Sequence, residues 1–72
     1  MGFRCEIIVR GRLSRTLVGE FEELHLAAAP RPIETVLSGE VEDQAAFHGL
    51  LRRIEALGLE LVEFRRNHNS SS

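Results

Sequence analysis

The chain has no lysine, no tryptophan and no tyrosine, only one cysteine and two prolines, and no long apolar run. Each shortage removes a class of explanation. A lone Cys5 leaves no internal disulfide to form, and with no CxxC companion it lacks the spacing of a thiolate metal site. The first twelve residues carry charges at positions 4, 6, 10 and 12, which breaks up any apolar core of a signal peptide. No segment approaches the roughly 20 apolar residues of a membrane helix. The expectation is a cytoplasmic chain with no membrane contact. Nine basic residues stand against eleven acidic ones, a net charge of −2, so no domain-wide basic field invites nucleic acid. All nine are arginine, and alongside ten glutamates and abundant Leu and Ala they read as the coding bias of a GC-rich bacterium.

What remains is ordinary globular material. Seventy-two residues, 43% hydrophobic and 28% charged, make one domain with one core. A domain of this size buries only about 60% of the surface its unfolded chain exposes. Its stability margin is thin, and a second copy would help. The domain is expected to span 1–66, with 67–72 as a disordered tail that has nothing to bury.

The elements follow from hydrophobic spacing. Phe3, Cys5, Ile7 and Val9 alternate with Arg4, Glu6 and Arg10, the period of a half-buried strand over about 3–11, with Cys5 as a small core residue. Ser14 stands where an N-cap belongs, and Leu13 and Val18 are placed for a hydrophobic staple. A short helix over 15–22 follows, with Leu17, Val18 and Phe21 on one stripe. Leu24, Leu26 and Ala28 alternate next, giving a strand over 23–29 that Pro30-Arg31-Pro32 ends. A third strand covers 34–41. Asp43 then caps a helix over 44–57, carrying Phe47, Leu50, Leu51, Ile54 and Leu57 and stopped by Gly58. The last strand covers 60–66.

Two strand-helix-strand units joined by a hairpin form the α+β, ferredoxin-like βαββαβ sandwich: a four-stranded antiparallel sheet in the order 4-1-3-2 with both helices on one face. The other face is left open. Alternation assigns it Arg4, Glu6, Ile8, Arg10, His25, Ala27, Val36, Ser38, Leu61, Glu63 and Arg65. Aliphatic residues near its centre and charges of both signs around them fit either a plain solvated face or sheet-to-sheet self-association, and the small core tilts the expectation to the second. The expected dimer interface is Arg4, Glu6, Ile8, Arg10, Val36, Leu61 and Glu63.

Families with this order of elements make demands that can be checked residue by residue. Heavy-metal-binding domains need paired cysteines before the first helix, where this chain reads Gly11-Arg12-Leu13-Ser14-Arg15. RNA-recognition motifs need aromatic residues on the open faces of strands one and three, where it has Arg4, Glu6, Ile8, Arg10, Val36, Ser38 and Glu40. Val9-Arg10-Gly11-Arg12 resembles the start of the acylphosphatase phosphate loop. That resemblance spans four residues, the Gln-Gly-Val continuation is absent, and Ser38 stands on the third strand where that family carries a water-orienting Asn. It implies an anion site at Arg12, Ser14 and Arg15, at a helix N-terminus with two guanidinium groups. Gly11 echoes part of the glycine signature of ACT-type regulatory domains, which bind amino acids at subunit interfaces. The segments VRGRL and DQAAFHGLLRRIEALGLELVEFRR, and the layout of residues 3–66, resemble small uncharacterised proteins of high-GC actinobacteria. This last resemblance implies the same fold and brings no activity.

No catalytic cluster stands out. His25 on a strand, His48 on a helix and His68 in the tail fall apart in space, so neither an acid-base pair nor a metal site is expected. No cofactor is implied. The sequence points to a non-enzymatic interaction module, a homodimer that binds a protein or small molecule. The alternative is a small acylphosphatase-like hydrolase or anion-binding protein using the loop before the first helix.

Overall fold

Strand β1 (Phe3–Arg10) forms because its apolar side chains recur every second residue, and in the folded chain Phe3, Cys5, Ile7 and Val9 are buried while the residues between them are exposed or half-buried. The computed structural model describes residues 2–67. After β1 come α1 (Arg15–Glu23), β2 (Leu26–Pro30), β3 (Glu34–Val41), α2 (Gln44–Ala56) and β4 (Leu61–Asn67). The four strands make one antiparallel sheet in the order β2-β3-β1-β4. This is the expected ferredoxin-like arrangement. Of the expected tail only Asn67 is described, and it closes β4; His68–Ser72 lie outside the described residues.

Both helices start as their caps dictate. Ser14 Oγ accepts the Leu17 N–H at 3.2 Å, and Asp43 Oδ1 accepts the Ala46 N–H at 2.8 Å, each satisfying an amide the helix itself leaves unpaired. The helices end in a common way with different residues. At the end of α2, Gly58 takes φ +80, while its N–H bonds the Glu55 carbonyl and the Leu59 N–H that of Ile54, the paired bonds of a Schellman stop. At the end of α1 the left-handed residue is His25, φ +66, with its N–H on the Glu22 carbonyl. The expected strand over 23–29 therefore begins only at Leu26. Leu24 and His25 belong to the helix stop.

The core lies between sheet and helices. Cys5, Ile7, Val9 and Leu37 from the sheet meet Phe21 of α1 and Phe47, Leu50 and Ile54 of α2. Burying each large side chain contributes roughly 1.5–3 kcal/mol. Phe47 is the hinge of the aromatic packing, with Phe3 at 5.7 Å and Phe64 at 5.3 Å, both edge-on.

One register change alters the make-up of the open face. Ile8 pairs with Glu63 but Val9 pairs with Leu61, so Val62 is an extra residue in β4, a β-bulge. The expected position of Leu61 on the open face is corrected by this. Leu61 stands opposite Val9 and packs against the core, because simple alternation from Arg65 back to Leu61 does not count the inserted residue.

Candidate interaction surface

The uncovered face is built in rows across the strands. Ala29, Val36 and Ile8 align in consecutive strands and end at Glu63. Beside them runs the row Ala27, Ser38, Glu6 and Arg65. Val36 is only 8% exposed although no helix lies over it, and it belongs to no part of the helix-side core. Its cross-strand partners are Ile8 and Ala29. Val62, the bulged residue at the adjoining edge, is 44% exposed.

Opposite charges sit across from one another on this face. Arg4 pairs in register with Glu40, Glu6 with Arg65 and Arg10 with Glu34. Arg10 Nε also reaches Glu60 Oε1 at 3.0 Å, and Arg65 Nε reaches Glu63 Oε2 on its own strand at 3.0 Å. Such cross-strand pairs contribute about 0.2–1 kcal/mol each. Of the seven residues expected at the interface, the structure brings Arg4, Glu6, Ile8, Arg10, Val36 and Glu63 together and turns Leu61 away. His25, also expected on this face, lies in the turn between α1 and β2.

The loop before α1 is tied down at both ends. Gly11 takes φ +87, its N–H bonds the Ile33 carbonyl at 2.7 Å, and its own carbonyl accepts the buried Thr35 hydroxyl at 2.8 Å. Arg12, Ser14 and Arg15 are all exposed. Arg12 lines a cleft of about 470 Å³ with Leu13, Val18, Ala28, Pro30 and Thr35, and neither Ser14 nor Arg15 does. The Ser14 oxygen already serves the α1 amide. The three candidate anion ligands share a loop without converging on one cavity.

A second cleft, of about 450 Å³, is one that sequence reasoning does not find. It opens between the α1–β2 turn and α2, with Glu23, His25, Glu40, Glu42 and Arg53 around Leu50. Only a known stop at His25 could have shown that these segments meet. Elsewhere chemistry is sparse. Among the described residues no group of three His, Cys, Asp or Glu side chains could hold a metal ion, and no helix is long and apolar enough to cross a membrane. Burial pushes the Cys5 thiol above its ordinary range, with Arg4 opposing weakly. At neutral pH it stays a protonated core residue.

A family model described as a domain of unknown function, DUF8691, matches residues 4–65. The chain belongs to that family. The match runs from the second residue of β1 into β4, so α1, β2, β3, α2 and most of β1 and β4 of this DUF8691 domain fall within it. No curated protein and no solved structure matches the chain.

Proposed function

We propose that this DUF8691 domain is a non-enzymatic interaction module that self-associates through its uncovered sheet face. The observation that carries the reading is the row Ala29, Val36 and Ile8 set among in-register pairs of opposite charge, Arg4 with Glu40, Glu6 with Arg65 and Arg10 with Glu34. A two-fold axis lays such a face against its own copy, apolar row on apolar row, with arginines able to meet glutamates. A cytoplasmic bacterial setting belongs to the same reading. It is supported by the arginine-only basic set and the unbridged cysteine.

Sedimentation tests it. The unaltered chain should run well above the 8.1 kDa of one copy. Ile8→Asp should lower that mass by half, because an unpaired carboxylate at the centre of the contact is costly to bury. Arg53→Asp, on the helical side, should leave it unchanged. A monomer at high concentration, or loss of association in Arg53→Asp but not in Ile8→Asp, would overturn the reading.

A further inference from the structure

We propose that a second copy of this chain also pairs along the free edge of β4, antiparallel, with the two-fold axis at Phe64. The inference goes beyond association through the face and does not depend on it. The sheet ends in β2 on one side and β4 on the other, and the two edges differ. β2 has five residues, closes on Pro30, and carries no aromatic side chain. A short edge ending in a residue without an N–H is a poor template for another strand. β4 has seven residues and no proline.

The hydrogen-bonding direction of β4 follows from its neighbour. The Arg10 N–H bonds the Glu60 carbonyl at 2.9 Å while the Gly11 N–H bonds the Ile33 carbonyl in the other direction at 2.7 Å. Along an unbroken strand these directions alternate, and β1 keeps its register with β3 throughout. Ile8 and Glu6 therefore turn their backbone groups toward β4, and their partners Glu63 and Arg65 turn back toward them. Phe64, between those two, directs its N–H and C=O to the open edge. Its side chain lies on the covered side against Phe47 at 5.3 Å, yet it remains 45% exposed.

Charge selects the register. With the axis at Phe64, each Phe64 N–H donates to the other copy's Phe64 carbonyl, Glu63 falls opposite Arg65 of the second copy, and Arg65 opposite its Glu63. Moving the axis to Glu63, Arg65 or Arg66 sets a charge against itself, which is unfavourable directly across a strand pair. The axis at Val62 falls on the bulge. Glu63-Phe64-Arg65 is thus self-complementary in one register, and pairing there covers the two exposed phenylalanine rings. A continuous eight-stranded sheet results, its open face still free for association through the row at Ile8.

The test exchanges charges between copies. Glu63→Arg and Arg65→Glu, each alone, place like charges across the edge and should halve the sedimenting mass of the unaltered chain. Mixed in equal amounts, the two variants should recover it, since the arginine introduced at position 63 of one copy then faces the glutamate introduced at position 65 of the other. Repairing the ion pair within each strand cannot explain that recovery, because neither variant regains its own. Phe64→Pro, which removes an N–H turned away from β1 and fits an edge strand, should also halve the mass. If the single variants keep the unaltered mass, or their mixture does not regain it, the edge contact is wrong. An unchanged mass in Ile8→Asp with recovery in the mixture would instead remove the face contact and leave the edge.

Discussion

Ile7 and Ile8 are the same residue at adjacent positions of β1, and the sheet gives them opposite fates. Ile7 is 0% exposed in the core, whereas Ile8 is half-buried on the face without helices. Side-chain type does not separate them. Position in a period of two does, and it assigns one to stability and the other to the surface on which a partner can rest. The sharpest way to break that contrast is to truncate both. Ile7→Ala should cost about 2–5 kcal/mol, out of a total of order 5–10 kcal/mol for a domain of this length. Ile8→Ala should cost no more than about 1 kcal/mol when measured dilute enough that copies are apart. Urea midpoints at unchanged slope read both values. Equal losses would mean that the open face is stabilising the single domain and not awaiting a partner.

A second neighbouring pair repeats the contrast on β3. Gly39 points to the covered side, where an added Cβ would lie 2.6 Å from the His25 carbonyl and 2.7 Å from Leu26 Cδ2. Ser38 lies on the open face between Ala27 and Glu6. Gly39→Ala should therefore cost about 1–3 kcal/mol, as the β2 start is forced away, while Ser38→Ala stays within about 0.5 kcal/mol. Thermal unfolding of the two variants checks this. A harmless Gly39→Ala would show that the turn at His25 yields easily.

The same close approach explains what is legible in the sequence and what is not. α2 can be read to within a residue of its end because Asp43 and Gly58 mark its two limits and Phe47, Leu50 and Ile54 keep its spacing. α1 carries a start signal in Ser14 but no stop signal, since its left-handed residue is His25 and not glycine. Leu24, Leu26 and Ala28 then run on as an alternation, which starts the strand too early. The bulge at Val62 is hidden for a related reason. Nothing in Leu61-Val62-Glu63 announces an inserted residue, and only pairing with Ile8 and Val9 exposes it. Most of the open face is legible because β1 and β3 pair without interruption from Phe3 to Arg10. Leu61 is misplaced because it depends on the one strand that is interrupted. The Arg12 to Arg15 loop shows the converse limit, as residues close in sequence need not converge on a cavity.

The smallest expected effects lie in the ion pairs, one on each side of the sheet. Arg53 Nη2 meets Glu20 Oε1 at 3.2 Å, joining the two helices, and Arg10 Nε meets Glu60 Oε1 at 3.0 Å beside the open face. All four side chains are more than a third exposed, so solvent and salt screen both pairs. Double-mutant cycles on dilute protein should give about 0.2–1 kcal/mol for each, falling as salt is raised. On this measure the two sides of the single domain are alike. They should part only when copies associate, because a partner resting on the open face removes water from Arg10 and Glu60 and leaves Arg53 and Glu20 as they were. Coupling between Arg10 and Glu60 should then rise with protein concentration while the helical pair stays constant. If both couplings are independent of concentration, the face beside Arg10 is never covered.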